Sequence, residues 1–155
     1  MNINLLESFI VKAKINTYAN NAKELTLNDG GRELTFELDG FKYRDRYYGF
    51  NPFIGEELIW AGETIVWSMN YYGLITSDSC KPEIIYSFLR ESLKQVSNDK
   101  PFRGPEQFKQ GELEYINEIK GDINQFIGTE RILNNKTEVY KLCYHGGIMK
   151  IKDKN

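Results

Sequence analysis

An α+β fold is predicted, with an antiparallel sheet or half-barrel that carries two helices on one side. Two segments with helical periodicity, near 3–16 and 82–96, are each followed by segments in which apolar and polar residues alternate. The 155 residues are enough for one domain with its own core, and we expect residues 1–155 to form that domain. A third observation, similarity between the two halves, indicates that one α-β-β-β unit occurs twice.

The first helix is predicted at 3–16, where apolar residues recur at helical spacing and charged residues occupy the opposite side. The second helix is predicted to start near Pro82, because a proline in the first helical turn loses no hydrogen bond. Residues 17–32 and 98–111 are polar or contain Pro and Gly, which predicts loops. The apolar stripe of the second helix consists of Ile85, Phe88, Leu89, Leu93 and Val96.

The strands are predicted from alternation with a period of two residues, which gives each strand one apolar face. Asp39-Gly40 is a hairpin turn signal, and Asn134-Asn135 turns the last pair of strands. The predicted strands are 34–38, 41–47, 53–60, 64–72, 112–121, 125–133 and 137–145.

The two halves of the chain resemble each other. Residues 53–73 align without gaps with residues 126–146, and 9 of the 21 aligned positions are identical. If this is a duplication, two units of about 3–75 and 82–147 pair around a pseudo-twofold axis, and neither folds alone. The alternative is that all antiparallel hairpins share such a pattern.

The composition excludes several classes of protein. The net charge is -2 and no basic stripe is present, so we expect no direct contact with nucleic acid. Cys80 and Cys143 are the only cysteines and His145 is the only histidine, so no disulfide framework, metal or cofactor is expected. No apolar run approaches the roughly 18 residues of a membrane span. Without a signal peptide pattern at its N-terminus, the chain is expected to be cytoplasmic.

Aromatic residues are predicted near the pseudo-twofold axis, on the last strand of each repeat. Trp67 and Tyr71 share one strand face, and Tyr140 and Tyr144 are their counterparts. One interpretation is an aromatic groove for a flat or cationic ligand. The alternative is a plain core, because Trp and Tyr at a period of two are commonly buried.

Glu57 and Glu130 occupy equivalent positions in the two repeats, and each shares a strand face with apolar neighbours. An inward orientation would place both carboxylates in apolar surroundings. Their pKa values would then rise, and they would hold a cation or share a proton. The alternatives are a solvated face, or a pairing of each glutamate with a nearby Arg or Lys.

Three further side chains are candidates for chemistry. His145 is a candidate general base, although a structural role beside the Gly-Gly at a strand end is the alternative. Cys143 lies two residues earlier, about 6.5 Å away by strand rise, which is too far for direct thiolate–imidazolium contact. Arg103 would bind a carboxylate or phosphate, or more simply pair with a surface acid. The candidate helpers of His145 are Asp45, Glu130 and Tyr144.

Four stretches of sequence together resemble the bacterial family called domain of unknown function 5680. They are Phe53–Glu57, Trp67–Gly73, Pro101–Pro105 and Tyr144–Gly147. The family has no assigned activity, and some members follow a helix-turn-helix of the Xre repressor type, so the resemblance implies a sensor or effector-binding role. In architecture alone, the predicted fold is similar to the GyrI-like effector domains, which bind cationic aromatic compounds with a carboxylate and aromatic residues.

We therefore expect a small-molecule-binding module with an aromatic and acidic groove at the pseudo-twofold axis. One alternative is a protein–protein interaction module of a bacterial regulatory system, homodimers included. Another is an enzyme that uses Glu57, Glu130 or His145, although no motif indicates a reaction and no catalytic residue is assigned. The expected ligand-binding residues are Glu57, Glu130, Trp67, Tyr71, Tyr140 and Tyr144.

Overall fold

The computed structural model, which describes residues 2–17 and 22–150, contains two helices and one open antiparallel sheet of nine strands. This architecture confirms the predicted α+β class. Helix α1 spans Ile3–Asn16 and helix α2 spans Pro82–Leu93. The strands are β1 Leu25–Thr26, β2 Arg32–Leu38, β3 Phe41–Gly49, β4 Phe53–Ala61, β5 Thr64–Ile75, β6 Gln107–Gln110, β7 Leu113–Asp122, β8 Gln125–Asn134 and β9 Thr137–Ile148.

Both helices form where the apolar spacing predicts them. The side-chain oxygen of Asn2 caps α1 by accepting a hydrogen bond from the amide of Asn4 at 3.0 Å. Pro82 occupies the first turn of α2. Neither described helix has the combination of length and apolar character that crossing a bilayer requires. The buried faces consist of Leu6, Phe9, Ile10 and Ala13 on α1, and of Ile85, Phe88, Leu89 and Leu93 on α2.

The sheet is built from two runs of hairpin-connected strands that meet at its centre. The strand order is β1-β2-β3-β4-β5-β9-β8-β7-β6, so β5 and β9 form the central pair. In the register of that pair, Tyr71 lies opposite Tyr144. The centre of the sheet therefore consists of the last strand from each half of the chain.

The two runs share a common register. Gly55 lies opposite Tyr71 in the first run, and Gly128 lies opposite Tyr144 in the second. The register also shifts by one residue at equivalent places, after Ile59 and after Ile132. Strand β1 lies at the outer edge of the first run, whereas the second run ends at β6. These correspondences describe geometry, and a common origin of the two halves stays a prediction.

Both helices cover the same face of the sheet, which we call the inner face. The Lys14 side chain of α1 contacts Glu57 on β4. The Tyr86 ring of α2 lies 6.0 Å from the ring of Phe53, also on β4. Because Phe53 and Glu57 are four residues apart on one strand, their side chains point to the same side. The inner face and the two helices enclose one hydrophobic core.

Two short strands lie where the sequence predicts loops. Residues Leu25–Thr26 form β1 within the predicted loop 17–32, of which 18–21 lie outside the described residues. Gln107–Gln110 forms β6 within the predicted loop 98–111. Both strands lie at sheet edges and are largely exposed, so they lack the apolar alternation that marks a buried strand.

Gly55 is required by the close packing of Tyr71 against β4. A Cβ atom at Gly55 would lie 2.2 Å from the Tyr71 hydroxyl oxygen. We expect Gly55→Ala to lower the free energy of unfolding by about 1–3 kcal/mol, the usual cost of overpacking, in urea unfolding. In a Tyr71→Leu background the same change should cost less, because the ring and hydroxyl are gone. An equal cost in both backgrounds would contradict this explanation.

Candidate functional site

The inner face buries five charged side chains from five different elements of the chain. Each is at most 7% exposed. Buried charges are costly unless they are paired and hydrogen-bonded, so the pairing within this group decides whether it is stable. We call it the charge cluster, and its members are Lys14, Asp45, Glu57, Arg103 and Glu130.

In the second half of the chain, both carboxylate oxygens of Glu130 accept hydrogen bonds from buried side chains. Arg103 donates from Nη2 to Oε1 at 2.6 Å and from Nε to Oε2 at 3.1 Å, which is the bidentate geometry of a strong ion pair. The hydroxyls of Tyr115 and Tyr140 also donate to Glu130, at 2.6 and 3.0 Å. This carboxylate is thus neutralised and held by four hydrogen bonds.

The loop between α2 and β6 holds Arg103 in place. The ring of Phe102 stacks on that of Phe126 at 4.0 Å. The amide of Gly104 donates to the Tyr115 hydroxyl at 3.0 Å, and the Asn117 amide donates to the Gly104 carbonyl at 2.9 Å. The predicted pairing of Arg103 with a surface acid is therefore wrong, because the anchored loop directs this side chain into the core.

In the first half, Glu57 pairs with a lysine from a helix. The Nζ atom of Lys14 lies 2.5 Å from Glu57 Oε2. Burial lowers the pKa of Lys14, and the charge of Glu57 opposes that shift. The buried hydroxyl of Tyr43 has no hydrogen-bond partner among the described residues. A cavity of about 10 Å³, roughly the size of one water, is lined by Lys14, Tyr43, Glu57, Leu93 and Arg103.

Asp45 is the third acid of the charge cluster. The sequence had indicated it only as a candidate helper of His145. It lies directly opposite Glu57 in the sheet register and accepts a hydrogen bond from the Tyr71 hydroxyl at 2.6 Å. Burial, followed by the negative charge of Glu57, raises the pKa of Asp45 to about 7. At the equivalent place in the second half, Asn117 accepts from the Tyr144 hydroxyl at 2.7 Å.

The charge cluster contains three carboxylates and two cations. It therefore carries one excess negative charge when every group is ionised, and a single bound proton balances it. Asp45 is the carboxyl whose raised pKa suits it to hold that proton near neutral pH. Among the described residues, no three His, Cys, Asp or Glu side chains are grouped so that they could hold a metal ion.

The six predicted ligand-binding residues are all buried on the inner face. Glu57 and Glu130 face inward, and each is paired with a cation. The inward orientation and the pairing with an Arg or Lys, which the sequence analysis treated as alternatives, therefore occur together. The aromatic side chains Trp67, Tyr71, Tyr140 and Tyr144 belong to the hydrophobic core. Their burial favours the core alternative over an open groove at the pseudo-twofold axis.

A pocket of about 200 Å³ opens beside the charge cluster, between α2 and the turn that joins β3 to β4. Tyr71 is the one predicted ligand-binding residue that lines it. The Tyr86 ring lies 5.2 Å from the ring of Phe50 in an edge-on arrangement, and its hydroxyl donates to the Phe50 carbonyl at 2.6 Å. We call this the aromatic pocket, and its aromatic residues are Tyr47, Phe50, Phe53, Tyr71 and Tyr86.

Two exposed ionisable residues, Glu24 and Arg90, also line the aromatic pocket. A carboxylate oxygen of Glu24 accepts a hydrogen bond from the Tyr47 hydroxyl at 2.5 Å. The sequence did not predict this pocket because its residues come from four strands, a loop, a turn and a helix that are distant along the chain. A signal was present in Tyr86, an aromatic residue of α2 outside the apolar stripe that the periodicity identified.

The hypothesis that pairs His145 with buried helpers is wrong. On β9 the side chains alternate, so Cys143 and His145 are exposed on the outer face while Leu142 and Tyr144 are buried on the inner face. Asp45 and Glu130 are also buried on the inner face. The sheet therefore separates the imidazole from the carboxylates that were considered as its partners.

The difference between a buried and a surface ion pair can be measured within this chain. Arg103→Ala leaves Glu130 buried without its cation, and we expect a cost of about 3–5 kcal/mol in urea unfolding. Arg131→Ala removes a matched but solvent-exposed pair with Glu118 and should cost about 0–1 kcal/mol. Equal costs would mean that the buried pair does not support the fold.

The pH dependence of stability should identify Asp45. Its pKa in the folded chain, about 7, lies above the unfolded value of about 3.9, so the folded state binds more protons between those limits. The free energy of unfolding of the wild type should therefore fall, relative to Asp45→Asn, as pH rises from 4 to 7. Urea unfolding across this range tests the difference, with the exposed turn variant Asp39→Asn as the charge-matched control. Parallel curves for wild type and Asp45→Asn would contradict the assignment.

The comparisons with known proteins identify a family but no characterised relative. The profile of the family described as domain of unknown function (DUF5680) matches residues 45–149, from Asp45 in β3 to Met149 beyond β9. No curated protein and no solved structure matches the chain. The likeness to GyrI-like effector domains therefore stays a prediction. Because the family match covers more than half of the sequence, the chain belongs to the domain of unknown function 5680 family.

Proposed function

We propose that this domain binds a small molecule in the aromatic pocket. The observation that carries the proposal is a pocket with five aromatic residues, of which the most buried, Tyr71, is hydrogen-bonded to the buried Asp45. Pockets that combine apolar walls with a few placed polar groups are the usual form of a ligand site. The proposal thus keeps the expected ligand-binding role but moves the site from the pseudo-twofold axis to the side of α2.

The volume and the aromatic lining of the pocket support a flat ligand of one or two rings. Its volume of about 200 Å³ exceeds the roughly 150 Å³ of a cavity that admits benzene. Aromatic rings prefer edge-on or offset contacts with other rings, and the Tyr86 ring already makes edge-on contacts of this kind with Phe50 and Phe53. Glu24 and Arg90 supply one charge of each sign for polar substituents of the ligand.

The wider role that we infer is that of an effector-binding module inside the cell. In this proposal residues 1–155 form a single domain made of two duplicated units, and the shared register and bulges of the two runs support that origin. The strand residues that line the aromatic pocket belong to the first unit, and Tyr86, Leu89 and Arg90 of α2 belong to the second, so both units contribute to the site.

A protein-interaction role is the second candidate, because the outer face of the sheet exposes large apolar residues. Ile54 and Tyr72, which are 53% and 47% exposed, lie opposite each other on β4 and β5. Ile127 on β8 is 60% exposed and lies opposite His145. Exposed apolar residues on adjacent strands are a feature of contact surfaces.

A panel of neutral, cationic and anionic aromatic compounds tests the first candidate by thermal unfolding. A ligand at about 100 times its Kd adds about 2.7 kcal/mol, which is a rise in Tm of roughly 5–10 °C for a chain of this size. Phe50 is 63% exposed, so Phe50→Ala should weaken binding of that ligand while Tm in its absence changes little. Ile127→Ala, on the outer face, is the matched control. If no compound raises Tm, the protein-interaction role becomes the better explanation; if Phe50→Ala binds as tightly as wild type, the site lies elsewhere.

A further inference from the structure

The two runs of the sheet share one hydrogen-bonding arrangement but differ in its chemistry. Tyr71 donates to Asp45 at 2.6 Å in the first run, and Tyr144 donates to Asn117 at 2.7 Å in the second. A neutral amide therefore satisfies this position without any cost of burying charge. The acid in the first run is not needed for the hydrogen bond, and its presence calls for another explanation.

Three elements and one loop around Asp45 present a charged or titratable side chain to its carboxyl, whereas β2 presents an apolar one. Strand β2 contributes Leu34 directly opposite. Asp45 itself lies on β3, which also carries Tyr43 two residues away. The groups that face the Asp45 carboxyl are Glu57 of β4, Tyr71 of β5, Lys14 of α1 and Arg103 of the loop before β6.

Tyr71 connects this cluster to the aromatic pocket. Its hydroxyl is bonded to Asp45, its ring lines the pocket, and the ring of Phe53 lies 6.1 Å away on the same pocket wall. The guanidinium carbon of Arg103 lies 5.7 Å from the centre of the Tyr71 ring. A change in the charge of Asp45 therefore alters the hydrogen bond of a residue that a pocket ligand would touch.

We propose that Asp45 binds and releases a proton in step with occupancy of the aromatic pocket, with Tyr71 as the residue that connects the two. This inference rests on the proposed function, since it assigns a regulation to the same pocket. The position of the acid supports it: Asp45 is in the run that lines the pocket, and its counterpart Asn117 is in the run that does not. The pKa of Asp45, about 7, places the change in the physiological range.

The direction of the linkage follows from desolvation. A neutral ligand that fills the pocket excludes water from Tyr71 and its surroundings, and a drier environment favours the uncharged form of a carboxyl. Binding of such a ligand is therefore accompanied by proton uptake, and affinity falls as pH rises from 6 to 8. Each unit by which the ligand raises the pKa of Asp45 corresponds to at most a tenfold change in Kd.

The first arm of the test needs no ligand. Carbon-detected NMR follows the Asp45 carboxyl from pH 5 to 9 together with the ring resonances of Phe53 and Tyr86. In the wild-type protein we expect the Asp45 carboxyl and both ring resonances to change with the same midpoint pH. In Asp45→Asn, the ring resonances of Phe53 and Tyr86 should no longer change over this range. Asp39→Asn, which removes one charge from an exposed turn, should leave the titration of Asp45 and of both rings unchanged. The proposal is overturned if Asp45 does not titrate in this range, or if the rings do not follow it.

The second arm uses indole as a neutral, flat probe. Calorimetry at pH 7 in two buffers of different ionisation enthalpy gives the protons taken up on binding. We expect net uptake in wild type, none in Asp45→Asn, and tighter binding to wild type at pH 6 than at pH 8. Indole binding with no dependence on pH or buffer overturns the linkage but leaves the pocket assignment intact. If indole and the wider panel fail to bind, the proposed function fails, and the NMR arm still decides whether Asp45 and the pocket are coupled.

Discussion

The constraint on which the rest of the structure depends is the burial of two glutamates on the inner face of the sheet. Glu57 and Glu130 lie at equivalent places in the two runs, and a buried carboxylate without a partner would cost several kcal/mol. Each therefore fixes another part of the chain. Glu57 draws the end of α1 onto the sheet through Lys14, and Glu130 holds the loop before β6 through Arg103. The helix and the loop that close the core are positioned by these two ion pairs.

The two buried glutamates differ in how completely their carboxylate oxygens are hydrogen-bonded. Glu130 receives a bidentate arginine and two tyrosine hydroxyls, so all of its strong acceptor positions are used. Glu57 has a single lysine contact and a second acid, Asp45, directly opposite. A rigid, saturated network stabilises a fold, whereas a network that carries an excess charge responds to protons and to neighbouring molecules. In the proposed function, the Glu130 network has a structural role and the half that contains Asp45 has the responsive one.

Sequence periodicity was sufficient for the helices and for the seven longer strands, because these depend on local spacing. It left open whether Glu57 and Glu130 face the core or the solvent. It was not sufficient for the partners. Lys14 and Glu57 are 43 residues apart, and no local rule links a lysine near the end of a helix to a glutamate on the fourth strand. The edge strand β6 was missed since its residues are largely exposed and carry no apolar alternation. The aromatic pocket was missed because Tyr47, Phe50 and Tyr86 converge only after folding.

The same asymmetry bears on the proposed link between Asp45 and the aromatic pocket. The two runs share a register, but some equivalent positions carry side chains of different chemistry. Asp45 and Asn117 are such a pair, since both satisfy a tyrosine hydroxyl and only one can ionise. Asp45 accepts a hydrogen bond from Tyr71, which lines the aromatic pocket, whereas Asn117 lies in the half of the chain that contains the saturated Glu130 network. Tyr71 lines the aromatic pocket and donates a hydrogen bond to Asp45, and this double role gives the proposed ligand site and the proposed proton site a shared physical basis.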